Sequence, residues 1–128
     1  MADLRLLLVD DEPDFLEPLC TRLTRRRVAC ATAASGEEAL QALADSRFDC
    51  AVVDVKMPGM DGLELLRRIR RDHPGTPVVL LTGHASVEMG VQGMELGAFD
   101  YLLKPVDLDE LLDVVRRAAE QPREPGLP

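Results

Sequence analysis

The sequence predicts an α/β fold: an open, doubly wound parallel sheet of five strands with five helices. Three observations carry that prediction: short apolar runs that stop abruptly at a polar residue, stretches of helical apolar period between them, and strict alternation of the two. Strands separated by a helix pair in parallel, because right-handed crossovers carry each helix back over the sheet. A closed eight-unit barrel needs about twice the length available, which leaves the open sheet.

Leu6-Leu7-Leu8-Val9 begins the series as a strand buried on both faces and gives way to Asp10-Asp11-Glu12. Phe15, Leu16, Leu19 and Leu23 form the apolar stripe of the first helix. A shorter, weaker strand candidate follows at Val28-Ala29-Cys30-Ala31-Thr32. Ser35-Gly36-Glu37-Glu38 starts the second helix, with acids in the first turn where they oppose the helix dipole, and Ala39, Leu40 and Leu43 continue it. Asp49-Cys50-Ala51-Val52-Val53 is a strand that ends at Asp54, and Leu63, Leu65, Leu66 and Ile69 mark a helix that stops before His73-Pro74-Gly75. Pro77-Val78-Val79-Leu80-Leu81 ends at Thr82. Val87, Val91, Met94 and Leu96 mark the fourth helix, Phe99 to Leu103 forms a strand ending at Lys104, and Leu108, Leu111, Leu112, Val115 and Ala119 mark the fifth helix. The expected domain is residues 1–120. Residues 121–128, rich in Pro and charge and without period, read as a tail or the start of a linker.

Composition fits this plan. The 128 residues suffice for one domain with a core of its own, and 46% hydrophobic with 30% charged residues is ordinary for a globular protein. The net charge of −8 opposes direct contact with nucleic acid or anionic lipid. Arg25-Arg26-Arg27 and the arginines at 67, 68, 70 and 71 read as solvated helix ends, where cations oppose the dipole. Cys20, Cys30 and Cys50 are odd in number and widely spaced, which suits buried thiols in a reducing compartment better than a disulfide framework. The first residues hold too short an apolar run for a signal peptide or a membrane span, so the expected address is the cytoplasm.

In doubly wound sheets ligands bind beyond the carboxyl ends of the strands, so the residues that close the strands belong to one question. They are Asp10, Asp11, Asp54, Thr82 and Lys104. Each alone is an ordinary cap or loop residue. Together they place three carboxylates, a hydroxyl and an ammonium on one edge. Clustered carboxylates raise one another's pKa unless a cation lies among them, and Mg²⁺, with its preference for oxygen ligands and retained waters, answers that need. A carboxylate so screened can attack phosphorus, with Lys104 and Thr82 supplying the cation and the donor that the phosphoryl oxygens require.

These residues lie in stretches that resemble the receiver domain of bacterial two-component response regulators: Leu7-Leu8-Val9-Asp10-Asp11-Glu12, Val52-Val53-Asp54-Val55-Lys56-Met57-Pro58-Gly59-Met60-Asp61-Gly62, Leu80-Leu81-Thr82-Gly83, and Gly97-Ala98-Phe99-Asp100-Tyr101-Leu102-Leu103-Lys104-Pro105. The resemblance implies strand order 2-1-3-4-5, a flavodoxin-like receiver fold. It implies that Asp54 accepts a phosphoryl group from a sensor histidine kinase or phosphotransfer protein. Asp11, Asp10 partly through water, Asp54 and the backbone carbonyl of Lys56 would hold Mg²⁺. Thr82 and Lys104 would contact the phosphoryl group, Tyr101 would act with Thr82 as the switch, and the bond before Pro105 would be cis. Lys56 and His84 would flank the attacking water and set phosphate lifetime, with His84 at the surface.

The same resemblance gives a signalling domain rather than an enzyme. Its output face would comprise the fourth helix, fifth strand and fifth helix, open to a downstream effector or to a homodimer partner. Gly90 and Gly93 lie in the fourth helix and either loosen it for switching or allow it close to the sheet; Met89 and Met94 could repack if it moves. The wording around Thr82 and Tyr101 looks like receivers of the nitrogen-regulator class. A metal-dependent phosphatase of the haloacid dehalogenase type is the alternative, but position 56 holds Lys where that family's second acid would stand. A nucleotide-binding module would need a glycine-rich loop in place of Asp10-Asp11-Glu12-Pro13.

Overall fold

A computed structural model of the chain describes residues 4–121. The elements run β1 (Leu4–Val9), α1 (Pro13–Arg25), β2 (Val28–Ala33), α2 (Gly36–Asp45), β3 (Cys50–Asp54), α3 (Gly62–Asp72), β4 (Val78–Thr82), a 3₁₀ turn (His84–Ser86), α4 (Val87–Glu95), β5 (Asp100–Leu103) and α5 (Leu108–Glu120). All strand pairs are parallel and the sheet order is β2-β1-β3-β4-β5, as expected. Nearly all of the stretch expected to be a tail, from residue 122 onward, lies outside the described residues.

Alternation along the strands sorts the core into two layers. Leu6 and Leu8 of β1, Val52 of β3 and Leu81 of β4 face α1 and α5, where Leu16, Leu19, Leu23, Leu111 and Val115 meet them. Leu7, Val9, Val53 and Leu80 point the other way, onto Ala39 and Leu43 of α2 and Leu63, Leu66 and Ile69 of α3. The central strands β3 and β4 are buried throughout, which explains their unbroken apolar runs. Strand β2 lies on the sheet edge and is only half-buried through its middle, so its apolar signal in the sequence is weak.

The helices begin where their caps dictate. Ser35 accepts from the backbone N–H of Glu38 at 3.2 Å, Asp61 accepts from that of Glu64 at 2.9 Å, and Asp107 accepts from those of Asp109 and Glu110. The fourth helix starts at Val87, where its apolar spacing starts, but stops at Glu95 with Leu96 just beyond it; a 3₁₀ turn ending at Ser86 precedes it, and no side chain caps it. Both its glycines are buried, and a Cβ on Gly93 would collide with the Leu80 side chain of β4. Of the two readings of these glycines, close approach to the sheet is the one the packing displays. Among the described residues no helix is long and apolar enough to cross a membrane.

Candidate functional site

The carboxyl edge is assembled by backbone bonds that continue the sheet just past its strands. The Asp10 N–H donates to Ala33 O at 3.1 Å, Val55 N–H donates to Leu81 O at 3.0 Å, and Lys104 N–H donates to Thr82 O at 2.9 Å. These bonds fix the starting points of the site's side chains on the rigid sheet rather than on free loops. Asp10 then turns the chain, because its Oδ1 accepts the N–H of Glu12 at 3.0 Å and Pro13 opens α1. After Lys104 the peptide to Pro105 is cis.

Gly62 shows how closely α3 approaches the end of β3. Its N–H donates to Val55 O at 2.9 Å, and a Cβ there would stand 2.6 Å from the Val55 Cα and against the carbonyl of Asp54. The second glycine of the Met-Pro-Gly-Met-Asp-Gly segment is therefore a steric requirement of the site.

Three strand ends meet at one ammonium. Lys104 Nζ lies 2.8 Å from Asp10 Oδ2, 3.6 Å from Asp54 Oδ2 and 3.9 Å from Glu12 Oε1. Asp10 is fully buried and Asp54 nearly so, whereas Lys104 keeps a partly exposed edge. Burial raises the Asp54 carboxyl to about 6; the nearby Asp10 charge adds to this, while Lys104 and a hydrogen bond from the Lys56 backbone oppose it. Burial acts to lower the Lys104 pKa, but its hydrogen bond to Asp10 and the charges of Asp54, Asp10 and Glu12 prevail and hold the ammonium above its usual value. At neutral pH Asp54, pushed up to only about 6, is ionised beside the Lys104 ammonium.

The donor set suits a hard divalent cation. Carboxylate oxygens of Asp10, Asp11 and Glu12 lie within 4.8 Å of one another, all oxygen donors, with Asp11 and Glu12 exposed. Glu12 belongs to this cluster although no role for it follows from the sequence motif. Its signal was only its adjacency to the acidic pair. Lys56, expected to offer a carbonyl, makes its contact to Asp54 through its backbone hydrogen bond, and its side chain is exposed.

Thr82 ends β4, but its hydroxyl bonds the turn that follows rather than the acids. Thr82 is fully buried, and its hydroxyl donates to Ser86 O at 2.7 Å, with Gly83 O at 3.1 Å. A hydroxyl has one proton, so this donor is engaged by the 3₁₀ turn. Tyr101 is half-buried. A Cβ on Gly90 would lie 2.9 Å from Tyr101 Cδ2 and 3.4 Å from Thr82 Cγ2, so the two side chains share the space that the glycine leaves. His84 is exposed, as expected.

Comparison with known proteins matches this geometry to a family. The model of the response regulator receiver domain fits residues 6–116. The chain belongs to that family. It is 40% identical over 121 residues to the DNA-binding transcriptional regulator NtrC of Klebsiella pneumoniae, covering 94% of this chain and 26% of that protein. It is 39% identical over 118 residues to the response regulator PilR of Pseudomonas aeruginosa, covering 92% of this chain and again 26% of the other. The chain thus spans about a quarter of the length of these curated relatives. The receiver domain of NtrX from Brucella abortus superposes with a TM-score of 0.86 at 34% identity, covering 91% of this chain and 99% of that one. A receiver domain is the phosphoacceptor module of a two-component response regulator, so this chain is a signalling domain. Its relatives are regulators, and the haloacid dehalogenase alternative is not supported.

Proposed function

We propose that Asp54 is the phosphoacceptor, taking its phosphoryl group from a sensor histidine kinase or phosphotransfer protein. The observation that carries this reading is the Lys104 ammonium held between buried Asp10 and Asp54, three groups brought together from separate strand ends. An Asp54 carboxylate oxygen forms the bond to phosphorus as the donor's bond breaks, and the electron pair leaves with the donor atom. Lys104 is already 3.6 Å from the reacting carboxylate and meets the charge that arrives. Asp11, Glu12, Asp10 and Asp54 are the side chains that would hold Mg²⁺, with Lys56 contributing from its backbone. When bound, the ion offsets carboxylate repulsion and neutralises phosphoryl charge.

The phosphoryl group adds roughly −1.5 to −2 charge, and the Thr82 hydroxyl is the donor best placed to exchange partners for it. Leaving Ser86 O frees the 3₁₀ turn ahead of α4, and Tyr101 can follow because it packs with Thr82 over Gly90. The face of α4, β5 and α5 then carries the signal. Val91, Met94 and Leu103 are exposed there and offer an apolar surface to an effector or to a second copy of the chain. With a net charge of −8, contact with DNA falls to a fused or separate effector; the NtrC relatives are themselves named as DNA-binding regulators. Incubation with acetyl phosphate should label the protein only when Mg²⁺ is present, and Asp54→Asn should abolish the label. Undiminished labelling of that variant would place the acceptor elsewhere.

A further inference from the structure

One contact at the site belongs to neither the acids nor the switch residues. The Lys104 ammonium lies 4.3 Å from the centroid of the Phe15 ring, within range of a cation–π interaction. In the sequence Phe15 reads only as part of the α1 apolar stripe, and its ring does pack at the edge of that core layer. Bulk alone would satisfy such a position. An ammonium over the ring face uses a property that an aliphatic side chain lacks, namely the negative face of the aromatic quadrupole.

The backbone that carries the ring is anchored, whereas the ammonium stands at the end of a long stem. The N–H groups of Phe15 and Leu16 both reach Glu12 O, at 3.0 and 3.1 Å, which anchors Phe15 in the first turn of α1 directly after the acidic cluster. Lys104 stands on a flexible four-carbon stem with three donors. Only Asp10 engages it at 2.8 Å; Asp54 at 3.6 Å and Glu12 at 3.9 Å attract it from beyond normal hydrogen-bond length. Such an ammonium can swing toward solvent along its exposed edge unless something occupies that space.

We propose that Phe15 is a positioning residue for Lys104, its ring forming a platform that keeps the ammonium over the buried carboxylates instead of in water. This rests on the reading of Asp54 as the acceptor, because it gives the platform its use: the cation is in place before the phosphoryl group arrives. The ring itself touches no part of the donor, so its loss acts only through the placement of the ammonium and reads in the maximal rate and not in donor half-saturation.

Phe15→Leu and Phe15→Tyr test this on the full chain. Only Lys56 and Lys104 are lysines, so labelling lysine with ¹³C gives two ε-methylene signals, and the exposed Lys56 serves as the internal reference. In metal-free protein the Lys104 ε protons should lie upfield of those of Lys56 through the ring current. They should move to the Lys56 position in Phe15→Leu and stay upfield in Phe15→Tyr. With acetyl phosphate and Mg²⁺, the Leu variant should lose about threefold to tenfold in maximal phosphorylation rate at unchanged half-saturation, and the Tyr variant should recover it. An unshifted Lys104 signal in the parent protein, or equal rates for Leu and Phe, overturns the proposal. A parent chain that takes no phosphoryl group refutes Asp54 as acceptor, while the Lys104 signal still decides whether the ring holds the ammonium.

Discussion

Replacing Asp54 with Asn should stabilise the metal-free protein, and the gain should depend on pH. The carboxyl stands at about 6 in the folded chain against an ordinary 3.8, chiefly through burial and then through the charge of Asp10. The folded state therefore holds this proton more tightly than the unfolded state does. Its contribution is fully present below about pH 3.8 and is lost as pH rises through about 6, so above that range the ionised Asp54 is a net cost. Each pH unit of displacement is about 1.4 kcal/mol, which makes the cost roughly 3 kcal/mol at neutral pH. For a domain of this size that corresponds to a difference on the order of 10 °C in Tm. Thermal unfolding followed by circular dichroism in chelator, from pH 4 to 8, measures it. Asp54→Asn should melt well above the parent at pH 7.5 and together with it near pH 4, and Mg²⁺ should raise the parent more than the variant. A variant no more stable than the parent at pH 7.5, or an advantage independent of pH, would refute the electrostatic reasoning.

Two glycine substitutions probe the frame around the site. Gly90→Ala places a methyl 2.9 Å from the Tyr101 ring, and since the chain has one Tyr and no Trp, tyrosine fluorescence reports that residue alone. The variant should alter this emission without any phosphoryl group, and overpacking of roughly 1–3 kcal/mol should outweigh about 1 kcal/mol of gained helix propensity in denaturant melts. Gly62→Ala drives its methyl into the backbone of Asp54 and Val55, which cannot rotate away as a side chain can. It should cost at least about 2 kcal/mol and should weaken Mg²⁺ binding measured by calorimetry, because it displaces the strand end that carries the acid.

Much of this architecture is legible in the residues because it follows from burial. Strands β3 and β4 are covered on both faces, so Ala51 to Val53 and Val78 to Leu81 had to be apolar, and the change to Asp54 and Thr82 marked where the sheet ends. The convergence of Asp10, Asp54 and Lys104 then followed from parallel pairing. What periodicity does not encode is the direction of a side chain once it reaches the edge. The Thr82 hydroxyl turns to Ser86 O because a buried donor takes the acceptor at hand, and nothing in the spacing distinguishes that rotamer from one facing Asp54. The 3₁₀ turn before α4 is hidden for a similar reason: Ser86 stands at the N-cap, but its hydroxyl turns back to Gly83 O and caps nothing in the helix. Phe15 was read as core because its position fits a stripe, and its contact with an amine 89 positions away is visible only in three dimensions.

The proposed phosphoacceptor is a single carboxylate, that of Asp54. Acetyl phosphate with Mg²⁺ followed by borohydride reduction converts an acyl phosphate on aspartate to homoserine, and peptide mass mapping then names the residue. If Asp54 is the acceptor, homoserine appears at position 54 and at no other acid of the cluster. Reduction at Asp10 or Asp11, with Asp54 intact, would contradict it.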